Sequence, residues 1–323
     1  MAATHVIADT DRLGAEYRAL TEDCGSINRS ARGKLALSGR DAKAMLAGQV
    51  TNDIEALQPG SGCYATFLTH KGKMLGDLRV LDVGDELLLD TERVALQGLF
   101  DMIRRFKVGY ELQLHKRTLE RALLSLIGPD AARIAGAEGL PVLEHANAPV
   151  EIEGIAALAV RTDVGVDLIC DAADSDSLTV KLRERGAVPV SEQTAEIVRV
   201  EHGRPRYGVD MDERTIPQEA GLNERAVSFT KGCYVGQETV ARLYYRGKPN
   251  RLLRGLRLSA PAAAGAELRL GERAVGRLSS AVLSPAQGPI GLALVRREAA
   301  PGADVSVGDG DTHATVVDLP FQT

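Results

Sequence analysis

Cysteine is scarce in this chain. Only four occur in 323 residues, at positions 24, 63, 170 and 233, and no two stand as Cys-x-x-Cys. That spacing excludes a zinc-finger pattern and a disulfide framework. Three of the four are expected as small buried apolar groups, with Cys233 the exception. The six histidines form no His-x-x-x-His or His-Glu-x-x-His, so a catalytic metal is not expected. No Gly-x-Gly-x-x-Gly or phosphate-loop motif is present, which removes the common nucleotide-binding folds. No apolar run approaches the roughly 20 residues a bilayer span needs, and the N-terminus lacks the basic-then-apolar pattern of a secretory signal. The expected setting is the cytoplasm, with no membrane partner. Net charge is −5, so nothing draws the whole chain to polyanions. Direct nucleic-acid binding is not expected, and any anion site must be local.

What is present is ordinary globular material, 44% hydrophobic and 26% charged, long enough for two or three structural units. "SARGKLALSG" reads as a strand and turn, and "RDAKAMLAGQV" as a short helix with Ala42, Met45 and Leu46 on one face. "GCYATFLT", "MLGDLRVLDV" and "LLLD" read as three antiparallel strands joined by tight turns. "TERVALQGLFDMIRRFKVG" reads as a helix capped by Thr91, with Leu96, Leu99, Phe100, Ile103 and Phe106 on its apolar face and Gly109 ending it. Two further strands, a short helix, a hairpin turning at 163–165 and two more helices carry the chain to residue 203. Strand pairs mixed with helices, without a regular βαβ rhythm, point to an α+β fold with antiparallel sheets. From Leu252 the chain becomes short strands punctuated by Gly and Pro, the pattern of a small all-β barrel. The expected division is residues 1–248 and 249–323.

The chemistry concentrates in "TKGCYVGQETVAR", residues 230–242. A cation near a thiol favours the thiolate, so Lys231 two residues before Cys233 suggests an activated cysteine. The plainer alternative is a core cysteine beside a solvated lysine. Gln237 and Glu238 offer an amide and a carboxylate, suited to a heterocycle bearing N–H groups and carbonyls; equally, they open a helix after Gly236. Glu201 lies in "RVEHGRPRYGVDMDER", where a buried carboxylate would hydrogen-bond an aminopyrimidine edge. Arg242, Arg246, Lys248, Arg251, Arg254 and Arg257 form a run without an acid, next to Tyr244 and Tyr245. Such a run holds a carboxylate tail or a nucleic acid strand, or is a solvated face.

"KGCYVGQE" resembles the signature of the YgfZ-type folate-binding proteins, relatives of the glycine-cleavage T protein. The likeness extends through "GRDAKAMLAGQVTNDI", "GCYATFLTHKGKMLGDLRV", "EIVRVEHGRPRYGVDM", "IPQEAGL" and "VGRLSSAVLSPAQGPIGLALV". It implies antiparallel-sheet subdomains around a central folate cavity, with the barrel alongside. It also implies a tetrahydrofolate-binding accessory role in iron–sulfur cluster assembly or repair, with transient cluster-enzyme partners, one of which modifies tRNA. The resemblance places Lys231, Cys233 and Asp77 at catalytic positions. Asp53, Glu201, Gln237, Glu238, Arg242 and Tyr234 fall at ligand-binding ones. One departure stands out. The T proteins carry two consecutive aspartates where this chain has Gly76 and Asp77, which bears on the alternative function, a folate-dependent aminomethyl or methyl transferase or demethylase.

Overall fold

The computed structural model describes residues 2–322, with side chains from residue 11 onward. It separates into two interleaved units. One contains residues up to 67, 76–195 and 231–234; the other contains 68–75, 196–230 and 235 onward.

The first unit is built on two sheets. One has the strand order Gly62–Leu68, Met74–Asp82, Glu86–Thr91, Gly33–Ser38, Gln113–Lys116. The other runs Val188–Pro189, Gly25–Asn28, Arg121–Ile127, Gly165–Asp171, Ile155–Arg161, Asn147–Ile152. In the second sheet every pairing is antiparallel except the short one between Gly25–Asn28 and Val188–Pro189. Ala36, Leu81 and Leu88 of the first sheet pack against Leu123, Val160 and Ile169 of the second. Burying each large aliphatic stabilises by about 1.5–3 kcal/mol. The second sheet's other face is covered by Leu178 and Leu182 of the helix Ser175–Glu184 and by Ala131 and Ile134.

Charges also lie between the sheets, and they are matched. Arg79 donates to Asp90 at 2.7 Å and to Asp167 at 2.6 Å, and Arg32 donates to Asp90 at 2.9 Å. Lys34, fully buried, gives its ammonium to the carbonyls of Ser30 and Arg32 at 2.9 and 3.0 Å. Buried charges are tolerated only when paired in this way.

The three-strand reading of 62–90, the short helix with Ala42, Met45 and Leu46 buried, and the hairpin at 163–165 all appear. The helix expected from Thr91 starts later, at Leu96, and ends at Phe106. Thr91 is the last residue of a strand, paired with Gly33, which keeps its backbone extended. Its hydroxyl donates to the Asp77 carbonyl at 2.5 Å instead of capping the helix. Of the expected apolar face Leu99 and Ile103 are buried, while Phe106 is exposed. A helix at Ala2–Glu22 precedes the first strand. Glu16 on it accepts hydrogen bonds from Ser191 and Thr194.

The second unit contains a closed barrel of order Arg251–Leu258, Gly288–Arg296, Arg273–Ser284, Glu267–Leu270, Asp304–Val307, His313–Val317. Leu256, Leu268, Leu278, Val295 and Val316 fill its core. Closure pairs every strand on both sides and leaves no free edge. Val200, near the end of the helix Glu192–Glu201, packs outside the barrel with Leu253, Ile290, Leu292 and Phe321. Arg199 reinforces that junction, donating to Asp210 at 2.6 Å and to Ser280 Oγ at 2.7 Å. Among the described residues no helix is long and apolar enough to cross a membrane.

Candidate functional site

In the first unit the signature lysine begins a chain of contacts that ends on a buried acid. Lys231 Nζ donates to three backbone carbonyls, those of Ala47 at 2.5 Å, Val50 at 2.8 Å and Asn52 at 3.0 Å. These atoms belong to the end of the helix Ala42–Ala47 and the Thr-Asn-Asp turn after it. The ammonium also sits 5.1 Å from the centre of the buried Tyr234 ring. Burial lowers the lysine's pKa, while Asp53 and Cys63 act to raise it. A donor with three rotatable N–H groups suits three converging carbonyls, where a planar guanidinium does not.

Asn52 carries the connection onward, its amide donating to the Tyr64 carbonyl at 2.8 Å. The Tyr64 hydroxyl then donates to Asp77 Oδ2 at 2.5 Å. Asp77 is 7% exposed. Burial pushes its carboxyl from 3.8 up to about 6, against the opposing pulls of the Tyr64 hydroxyl and the Arg32 guanidinium. A carboxyl titrating near neutrality can both take and return a proton under ordinary conditions. Its strand neighbour Gly76 points the other way. A Cβ there would lie 2.5 Å from the Phe67 ring and 2.7 Å from Ala95. The single carboxylate is therefore built into the packing.

The remaining expected residues of this unit surround the turn. Asp53 is half-buried and accepts from the Ala56 N–H at 3.2 Å, closing the turn after Thr-Asn-Asp. Cys24 and Cys170 are buried, Cys63 is half-buried and Cys233 is exposed. Burial pushes the Cys63 thiol up to about 12, although Lys231 acts to lower it. The field of Lys231 thus falls on Cys63, a residue expected only as core. The phenol of Tyr234 is likewise pushed up to about 12 by burial.

Glu201, Gln237, Glu238 and Arg242 belong to the second unit. Glu201 ends the helix Glu192–Glu201, half-buried, and accepts from Ser284 Oγ. Gln237, Glu238 and Arg242 lie on the helix Gln237–Arg246, the last two exposed. Gly236 before that helix has φ of +87°, and a Cβ on it would meet the Thr69 carbonyl oxygen at 2.6 Å. Glycine is required there both by conformation and by space. Gln218 steadies the helix through an N–H to the Val240 carbonyl at 3.2 Å.

Tyr64 and Asn52 had no place among the expected site residues. No local spacing marks Tyr64, because the loop closes between Thr69 and Lys73 and the phenol reaches Asp77 by the length of its own side chain.

Residues 8–231 match the family described as GCVT N-terminal domain, and residues 251–322 match the glycine cleavage T-protein C-terminal barrel domain. The chain belongs to this T-protein, aminomethyltransferase-like family. It is 30% identical over 325 residues to an aminomethyltransferase of Rubrobacter xylanophilus, covering 96% of this chain and 86% of that protein. The tRNA-modifying protein YgfZ of Yersinia enterocolitica is 30% identical over 222 residues, 68% of this chain and 66% of that one. The fold also matches the glycine cleavage system aminomethyltransferase T of Bartonella henselae, with TM-score 0.85 and 24% identity over 96% and 89% of the two chains.

Proposed function

We propose that this protein binds tetrahydrofolate and handles a one-carbon unit on it, as a transferase of the aminomethyltransferase type. The observation that carries the reading is Asp77, a buried carboxyl titrating at about 6 and held by the Tyr64 hydroxyl. A relative matched over 86% of its length bears the aminomethyltransferase name, which supports the same reading. A reduced pterin offers ring N–H groups that require acceptors, a part we assign to the carboxylates of Asp77, which is buried, and Glu201, which is half-buried. The folate contributes the amine nitrogens to which a one-carbon unit attaches. Asp77 holds or moves the proton of that exchange, and Tyr64 fixes which of its oxygens is engaged. Lys231 and Asn52 act by position, tying the turn 51–53 to Tyr64. Gln237, Glu238, Arg242 and Tyr234 complete the proposed contacts, and the protein works in the cytoplasm.

The test is a titration with tetrahydrofolate by calorimetry, followed by an assay for methylene-tetrahydrofolate formed from an amine donor. Saturable binding is expected in wild type, weakened in Glu201→Gln. Asp77→Asn is expected to bind but lose turnover by 10²-fold or more, the usual scale for a general acid–base group. Absence of saturable binding would end the proposal.

A second reading is favoured by the exposure of Cys233 within the unbroken signature. In it the folate-bound protein assists assembly or repair of iron–sulfur clusters, Cys233 making a transient contact. One thiolate cannot hold a cluster that ordinarily needs four, so a partner enzyme supplies the others. Loss of cluster-enzyme activity in cells carrying Cys233→Ala, with amine-donor turnover intact, would favour this reading over the first.

A further inference from the structure

The helix Gln237–Arg246 carries a cluster of aromatic rings toward its C-terminal end. Phe229 and Tyr244 stack with ring centres 3.8 Å apart and planes at 16°. Tyr245 meets both edge-on, at 6.4 and 5.0 Å. Packed aromatic trios normally lie in cores, yet Tyr244 is 51% and Tyr245 66% exposed. The aliphatic residues of the same helix are covered, Val240 completely and Leu243 in part. The tyrosines are therefore not the helix's core face.

Three basic residues stand next to these tyrosines in the sequence. Arg242, Arg246 and Lys248 are exposed, and none pairs with an acid among the described residues. The rest of the basic run behaves differently. Arg251 is bound by Glu219 and Arg254 by Asp318. Arg257 donates to Gln287 and to the Gln322 carbonyl and lies over Phe321. The fold brings acids from distant parts of the chain to the barrel arginines and leaves the three beside the tyrosines without any.

We infer that this face binds single-stranded nucleic acid, bases stacking on Tyr244 and Tyr245 while Arg246 and Lys248 take phosphates. Open ring faces beside unneutralised cations are the combination that single strands use, since every base has a π-face and every linkage a charge. A lipid surface would call for outward aliphatic side chains, which this helix keeps covered. An acidic peptide would engage the cations and leave the rings without flat partners. The inference departs from the expectation set by the net charge of −5, and the reason is local: the acids lie elsewhere. It stands whether or not the Asp77 site binds folate.

The experiment is fluorescence anisotropy of the full-length protein with a labelled oligouridylate of about 12 nucleotides, from about 50 to 300 mM KCl. Saturable, salt-sensitive binding is expected. Tyr245→Ala should weaken it about tenfold, Tyr244→Ala/Tyr245→Ala more, and Tyr245→Phe not at all. Arg246→Ala/Lys248→Ala should flatten the log–log salt dependence by about 1.4, roughly 0.7 for each lost phosphate contact. Tyr245 sits at the open edge of the stack, so its truncation leaves the Phe229–Tyr244 pair in place. The inference is overturned by absence of binding at 50 mM KCl, or by aromatic variants that bind as wild type. It is equally overturned if a duplex binds as tightly, or if polyglutamate displaces the probe as well as unlabelled oligouridylate does.

Discussion

Tyr64 and Asp77 share a 2.5 Å hydrogen bond between adjoining strands, and the carboxyl so held is almost fully buried. Its proton affinity in the folded state exceeds that of an exposed aspartate, 3.8 rising to about 6. The folded state therefore binds more protons than the unfolded one between those values, and stability falls as pH rises from about 4 to about 6. Above that range the ionised group imposes its full cost, roughly 3 kcal/mol at 1.4 kcal/mol per unit.

Asp77→Asn removes that ionisation. The variant should melt higher than wild type at pH 8, and the gap should close toward pH 4. Calorimetric scans at the two pH values check this. A gap of equal size at both would mean that burial does not govern the carboxyl, and the proton-handling role proposed for Asp77 would lose its basis.

Lys231 is expected to matter first as a clamp. Replacing it with methionine keeps the length of the side chain but leaves the carbonyls of Ala47, Val50 and Asn52 without their shared donor. The loss should be about 3 kcal/mol, the scale of removing a charged donor from buried acceptors. Lys231→Arg should recover little of it, because the guanidinium is planar. Urea unfolding measures both. If Lys231→Met keeps the wild-type midpoint while turnover disappears, the lysine acts directly in the chemistry.

Restoring a second aspartate beside Asp77 should fail. The Gly76 position has no room even for a Cβ, with the Phe67 ring 2.5 Å away. Gly76→Asp would also bury a carboxylate against an aromatic ring, so a drop of several kcal/mol is expected. Gly76→Asp with Phe67→Ala should recover part of the loss, since the variant opens the space the new side chain needs. A stable Gly76→Asp single variant would show that the strand shifts more readily than its packing implies.

Much of this is legible in the sequence. Strand alternation and turn residues gave the hairpin 62–82, and the change in texture after Leu252 gave the barrel, because both patterns are local. Thr91 was misplaced for the opposite reason. Its role is set by Gly33, a strand partner 58 positions earlier, and no local pattern carries that pairing. The signature located Lys231 but suggested the wrong neighbourhood for its charge. Spacing pointed to Cys233, whereas the ammonium reaches carbonyls about 180 residues earlier in the chain and acts on Cys63. The basic run misled similarly: Glu219 and Asp318, far apart in sequence, neutralise its later members.

Acid stability should rest on Asp90. It is fully buried, and burial alone would raise its pKa, but Arg32 and Arg79 outweigh that and hold it at about 2. A folded pKa below the unfolded 3.8 means the stabilisation is fully present above about pH 4 and is lost as pH falls through about 2. Roughly 2–3 kcal/mol is at stake at about 1.4 kcal/mol per unit. Asp90→Asn should cost more than this at pH 7, about 3–5 kcal/mol, because two buried guanidiniums lose a charged partner. Arg79 keeps Asp167 at 2.6 Å and Arg32 keeps Glu92, so the variant should still fold. Urea unfolding from pH 7 to pH 3 should show the difference between wild type and Asp90→Asn begin to narrow below about pH 4, where the unfolded carboxylate takes its proton while the folded one stays ionised. A difference constant across that range would mean the two arginines do not hold Asp90 ionised, and the inter-sheet ion network would then not be what stabilises the first unit against acid.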